Sequence, residues 1–185
     1  MLSDPQPAAR QGKEKGLRIL TFLFIIFILI ITFHSSFAQD IYPLFTIERS
    51  LNKNVLHYDA KLAKNGDLDA DEPVIVYWIM LAEDGHREPL SFIEKQRAYG
   101  FSIKSEKRKN YFSMYLAADK NKKITVYKDN DKIRAETRIN GRQAYLDKIY
   151  VSSNGSLLTP KITYLELHGR DIRTGNKVFE KIIPD

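Results

Sequence analysis

Lys132-Ile133-Arg134-Ala135-Glu136-Thr137-Arg138-Ile139, followed by Asn140-Gly141, is the stretch that decides the fold class. Ile133, Ala135, Thr137 and Ile139 alternate with Lys132, Arg134, Glu136 and Arg138. Strand side chains project to opposite faces with a period of two, so the first set meets a core and the second meets water. Asn140-Gly141 supplies two residues that tolerate positive φ, which a tight hairpin turn demands. The chain then turns back into a second strand, Gln143 to Val151.

The same rhythm extends in both directions. Turn signals recur at Asn65-Gly66, Asp84-Gly85, Asp129-Asn130-Asp131, Asn154-Gly155 and Thr174-Gly175-Asn176, and short runs rich in β-branched and aromatic residues lie between them. Leu56, Tyr58, Ala60 and Leu62 repeat the alternation. Pro73 to Leu81 is apolar on both faces and reads as a central strand covered on its second side. Further strands are expected at Leu44–Arg49, Phe101–Lys104, Tyr111–Ala117, Ile124–Lys128, Ile162–His168 and Lys177–Ile183. One short helix is signalled near residues 91–99. Ser91-Phe92-Ile93-Glu94 matches a capping box, and Gly100 is placed to end the helix in a left-handed conformation. The expected fold is mostly β, an antiparallel meander closing into a barrel-like sheet, with a β-sandwich as the alternative.

The N-terminal part has a different composition. The fifteen residues Ile19 to Phe33 contain no charge, glycine or proline. Arg10, Lys13, Lys15 and Arg18 precede them, and Ser36-Phe37-Ala38 follows. That is the layout of a secretory signal peptide cleaved after Ala38. An uncleaved membrane anchor is the alternative, although a spanning helix usually needs about 20 apolar residues. The expectation is therefore a signal peptide over residues 1–38 and a single β domain over 39–185, located in the periplasm or outside the cell. Any membrane association is expected only through an uncleaved N-terminal segment.

Removing residues 1–38 from 185 leaves 147, enough for a core that needs no covalent staple. The chain has no cysteine, which excludes disulfides, cysteine nucleophiles, thiolate zinc sites and iron–sulfur clusters. The leader holds four of the 29 basic and two of the 23 acidic residues, so the remainder carries about +4. Lys104, Lys107, Arg108 and Lys109 cluster in one loop, but charge of both signs is spread along the chain and no nucleic-acid partner is expected.

No hydrolase elbow, phosphate loop or dinucleotide fingerprint is present. Asp67, Asp69, Asp71 and Glu72 begin like a calcium loop, but the glycine and glutamate such a loop requires are missing, and a solvated acidic loop is the better reading. His57 and Asp59 share a strand face and read as a solvated pair. No metal or other cofactor is expected. The polar cluster Glu48-Arg49 with Asn52 and Asn54 is the main lead, because arginine offers a planar fork for carboxylates or phosphates. Tyr58, Tyr77, Trp78 and Tyr99 are the second lead, as aromatic candidates for a pocket wall. The candidate ligand-binding set is Glu48, Arg49, Asn52, Tyr58, Tyr77, Trp78 and Tyr99, with no catalytic residue assigned. Arg49 is expected to be buried and paired with Glu48, Asp59 or another carboxylate.

Leu44-Phe45-Thr46-Ile47-Glu48-Arg49-Ser50, Asn52, Asn54, Tyr58-Asp59, Pro73-Val74, Tyr77-Trp78, Ala98-Tyr99-Gly100-Phe101 and Gly169-Arg170-Asp171 together resemble a bacterial exported family, the domain-of-unknown-function family numbered 4833. The resemblance covers nearly all of the chain after Ala38. It implies one exported domain and transfers no functional residue.

Three function classes follow. The first is a non-enzymatic envelope module that binds a small apolar or amphipathic ligand, or an envelope component, in a β-barrel or at its mouth. The second is a hydrolase-type enzyme using Glu48 and Arg49, which requires both side chains in one cleft. The third is a protein-interaction domain, marked by an exposed apolar patch or an unpaired strand edge.

Overall fold

The alternation around Lys132–Ile139 is realised most clearly in its second half, while Ile133, Arg134 and Glu136 are half-buried. A computed structural model describes residues 41–155 and 160–184, and in it Ala135, Thr137 and Ile139 are buried while Lys132 and Arg138 are exposed. The strands are β1 (Ile41–Arg49), β2 (Val55–Lys61), β3 (Val74–Ile79), β4 (Arg87–Pro89), β5 (Phe101–Ser105), β6 (Tyr111–Leu116), β7 (Asp119–Asp129), β8 (Lys132–Ile139), β9 (Arg142–Gly155), β10 (Pro160–Asp171) and β11 (Lys177–Ile182). One helix, α1 (Phe92–Arg97), lies between β4 and β5. The apolar run Ile19–Phe33 and the Ser36–Ala38 cleavage signal lie outside the described residues.

The hairpins follow from their turn residues. Asn140 and Gly141 both take positive φ (49° and 75°), as a two-residue turn between right-twisted strands requires. Asn154-Gly155 behaves differently from the sequence expectation. Both residues belong to β9, with Gly155 opposite Pro160 in the β9–β10 ladder. The reversal that joins these strands lies outside the described residues.

All strands form one sheet in the order β4-β3-β2-β1-β9-β8-β7-β6-β5, with β10 on the other edge of β9 and β11 beyond it. The long strand β9 explains the shape. One edge is taken by β10 over Ala144–Gly155. The other edge is shared, with β8 antiparallel over Arg142–Tyr145 and β1 parallel over Lys148–Val151. Two lobes leave the same edge of one strand, and the sheet curls strongly into a half-barrel. Right-handed strand twist and a bulge in β1 between Pro43 and Phe45 add to the curl. The pairing is antiparallel throughout the described ladders except for the parallel β1–β9 pair.

The concave side is filled by side chains. Leu56, Tyr58, Met114, Val126, Ile139 and Ala144 are fully buried there. These residues belong to one hydrophobic core with Phe45, Ile47, Trp78, Phe112 and Leu146.

The curl brings β3 and β5 round towards each other without pairing them. Among the described residues, β5 pairs only with β6, and Val74–Val76 of β3 pair only with β2. One end of this seam is tied by Asn110, whose Oδ1 accepts from the Leu68 backbone (2.8 Å) and whose Nδ2 donates to Asp67 (2.7 Å). The other end is covered by α1. The capping box is formed: Ser91 Oγ accepts from the Glu94 backbone and the Glu94 carboxylate accepts from the Ser91 backbone. Gly100 is not left-handed, contrary to expectation. The helix ends at Ala98, and Gly100 is required because a Cβ there would collide with the carbonyl of Lys95. Gly100→Ala forces backbone rather than side chain to move, and is expected to cost about 1–3 kcal/mol. A fall in urea midpoint with unchanged m-value checks it.

Candidate functional site

The residues singled out in the sequence divide between the two faces of the half-barrel. On β1, Phe45 and Ile47 point into the core, and Arg49 follows them at the rim. Glu48 points outward, where its carboxylate accepts from Lys148 Nζ (3.0 Å) across the parallel pair. Glu48 and Arg49 therefore do not share a cleft, as the two-residue period of a strand requires.

Arg49 sits among residues from three segments. Its guanidinium carbon lies 4.2 Å from the centre of the Trp78 ring and 5.6 Å from that of Tyr99. Nη1 donates to the Tyr99 hydroxyl (3.3 Å) and Nη2 to Asn52 Oδ1 (3.4 Å). Nε is buried and makes no hydrogen bond. Among the described residues no carboxylate lies in direct ion-pair contact with Arg49, although Glu94 is near enough to feel its charge. Aromatic faces take that place, because the ring quadrupole attracts a cation.

Neighbouring contacts hold this rim in position. Trp78 and Tyr99 meet edge to face, 5.3 Å between centroids. Tyr58, fully buried, donates its hydroxyl to the Tyr99 carbonyl (2.6 Å), and burial pushes its ionisation far above the ordinary tyrosine value. Asn52 Oδ1 also accepts from the Asn54 backbone (3.1 Å), and Asn54 Oδ1 accepts from the Ala82 backbone (2.9 Å). Arg49, Asn52, Tyr58, Trp78 and Tyr99 are thus brought together, while Glu48 and Tyr77 are not.

Glu94 belongs to this group but was assigned only a capping role in the sequence. One oxygen caps α1, and the other accepts from the Trp78 indole (3.0 Å). Burial opposes its charge, but the Ser91 hydroxyl and backbone, the Trp78 indole and the nearby Arg49 outweigh that and hold its carboxyl below the ordinary glutamate range. The available signal was the capping box itself, since a capping carboxylate keeps one oxygen free for a second donor.

On the outer face, Asp59 is only 4% exposed, so the solvated His57–Asp59 pair is corrected. Tyr77 lies over it and donates its hydroxyl to Asp59 Oδ2. Arg87 stacks on Tyr77 (3.7 Å to the centroid) and approaches the same oxygen (3.8 Å), while the His57 ring also stacks on Tyr77, 5.6 Å between centroids. Burial first, and then this hydrogen bond, raise the Tyr77 hydroxyl above its ordinary value. In the acidic loop Asp71 and Glu72 are exposed, while Asp67 and Asp69 are half-buried. Asp69 accepts from the backbones of Asp71 and Glu72 (both 3.0 Å), and Asp67 is held by Asn110 and Lys109.

The geometry defines a class: a cysteine-free β half-barrel with a filled core and an aromatic-mounted arginine at its rim. The chain belongs to the family described as Domain of unknown function (DUF4833), whose model matches residues 45–181. No curated protein and no solved structure matches the chain.

Two outcomes test the division of faces. Arg49→Met is expected to lower stability by about 1–2 kcal/mol, the scale of a partly desolvated cation–π contact, rather than the roughly 3–5 kcal/mol of a broken buried ion pair. Urea unfolding at neutral pH distinguishes them. Tyr77→Phe leaves the buried Asp59 carboxylate without its donor and is expected to cost about 1–3 kcal/mol, read by the same measurement.

Proposed function

We propose that this chain is an exported, non-enzymatic binding module of the periplasm or cell exterior, and that its rim around Arg49 holds a small amphipathic molecule by an anionic end. The observation that carries the reading is Arg49: a planar fork laid on Trp78 at the rim, with no carboxylate in direct ion-pair contact among the described residues. Such a fork grips carboxylate or phosphate through two parallel hydrogen bonds. Leu81, in the turn after β3, and Phe92 and Ile93 of α1 are 54%, 72% and 66% exposed and offer apolar surface on the segments that follow Trp78 and carry Glu94. An amphipathic ligand uses both, and the filled core keeps it at the rim. The basic stretch, apolar run and Ser36-Phe37-Ala38 at the N-terminus support export.

The hydrolase alternative loses its basis, because Glu48 and Arg49 diverge to opposite faces.

Native mass spectrometry of the protein purified from its own source organism tests the reading. The expected spectrum shows a mass beginning at Gln39 and a small-molecule adduct released on denaturation. Arg49→Met is expected to remain folded and lose the adduct. A wild-type mass without adduct, or an adduct retained by the variant, contradicts the proposal.

A further inference from the structure

The open seam between β3 and β5 presents backbone groups in a fixed pattern, which the hydrogen bonds at the strand ends reveal. Ala117 N donates to Gly100 O (2.7 Å) and Glu106 N to Tyr111 O (3.4 Å). With Phe101 opposite Leu116 and Ser105 opposite Phe112, those bonds flank non-hydrogen-bonded pairs. Ser102 and Lys104 therefore exchange their backbone bonds with β6. Phe101, Ile103 and Ser105 turn theirs to the seam. The same reasoning applies to β3, where Lys61 N donates to Pro73 O (3.1 Å) beside the pair Ala60–Val74. Val74 and Val76 turn their backbone groups to the seam from the other side.

Between these edges lies a cleft of about 290 Å³ lined by Glu72, Val74, Ile75, Val76, Lys95, Gly100 and Phe101. Its wall is apolar where Val76 and Phe101 pack against the core. Lys95 lines it, and β5 and the loop after it carry further cations. Lys95, Lys104, Lys107 and Arg108 form no ion pair among the described residues, whereas the nearby acids are engaged: Glu72 by Lys61 (2.8 Å), Glu106 by Lys123 (3.3 Å) and Asp67 by Lys109 (2.8 Å). Lys104 and Arg108 rest instead on Tyr115 and Tyr111.

We propose that the β5 edge receives an extended acidic segment of a partner protein as an added strand. Main-chain bonds to Phe101, Ile103 and Ser105 supply the attachment, and alternate side chains supply the selection. Apolar residues in phase with Phe101 and Ile103 face the cleft. Acidic residues in phase with Ser102 and Lys104 meet cations that no carboxylate contacts directly among the described residues. This surface is distinct from the Arg49 rim and does not depend on the rim holding a ligand.

The test uses a capped, fluorescent peptide of about seven residues alternating glutamate and valine, kept below its self-association concentration. A lysine–valine peptide of the same length is the control. Anisotropy titration against the whole chain is expected to show binding of the acidic peptide that weakens with salt, and none of the basic one. Ser105→Pro removes a seam-facing N–H that the β6 ladder does not use, and is expected to leave the melting temperature unchanged while weakening binding about five- to tenfold. Lys104→Glu weakens it as well. No binding, equal binding of both peptides, or full affinity in Ser105→Pro overturns the proposal. So does a concentration-dependent dimer that Ser105→Pro abolishes, because the occupant is then a second copy of this chain.

Discussion

One strand edge organises this domain. Over Arg142–Tyr145 it carries β8 in antiparallel pairing, and over Lys148–Val151 it carries β1 in parallel pairing. A flat sheet cannot continue in two directions from one edge, so the two lobes curl towards a common interior. Burial then does the rest. Phe45 and Ile47 of β1, Leu56 and Tyr58 of β2, Met114 of β6 and Val126 of β7 reach the same core, all less than 5% exposed. A chain of this length buries enough apolar surface to stand without a disulfide, in keeping with its lack of cysteine.

The same curl creates the features that invite function. Full closure would have removed every edge and covered the rim. The lobes instead stop short, and the gap is spanned by the Asn110 tie at one end and by α1 at the other. Glu94 joins the two jobs of the helix, capping its first turn and holding the Trp78 indole on which Arg49 lies. The rim arginine is therefore positioned by the helix that closes the seam. A disturbance of α1 reaches Arg49 through two side chains.

Local periodicity made much of this legible in the sequence. β8 could be drawn with its boundaries and both faces, because its alternation is strict and a turn with positive φ ends it. The capping box at Ser91 was equally local. What escaped was long-range. Nothing within Thr46–Arg49 announces a parallel neighbour at Lys148–Val151. β4 is three residues long, too short to show a period. Asn154-Gly155 has turn composition yet lies within a strand, where ladder pairing overrides propensity. Asp59 looked solvated because its face is polar in sequence, and only Tyr77 and Arg87 from neighbouring strands bury it. The divergence of Glu48 and Arg49 was readable from strand geometry alone, but the replacement of a carboxylate by Trp78 and Tyr99 as the partner of Arg49 was not.

The central claim is that the sheet is a half-barrel whose β5 strand pairs, among the described residues, only with β6. Residue-resolved amide hydrogen exchange addresses it most directly, because each β5 amide reports its own hydrogen bond. The account predicts alternation along the strand: slow exchange at Ser102 and Lys104, whose N–H groups bond to β6, and fast exchange at Phe101, Ile103 and Ser105, with Val74 and Val76 fast as well. Uniform protection along β5 and β3 would show that the two edges pair with each other and that the barrel is closed, contradicting the account.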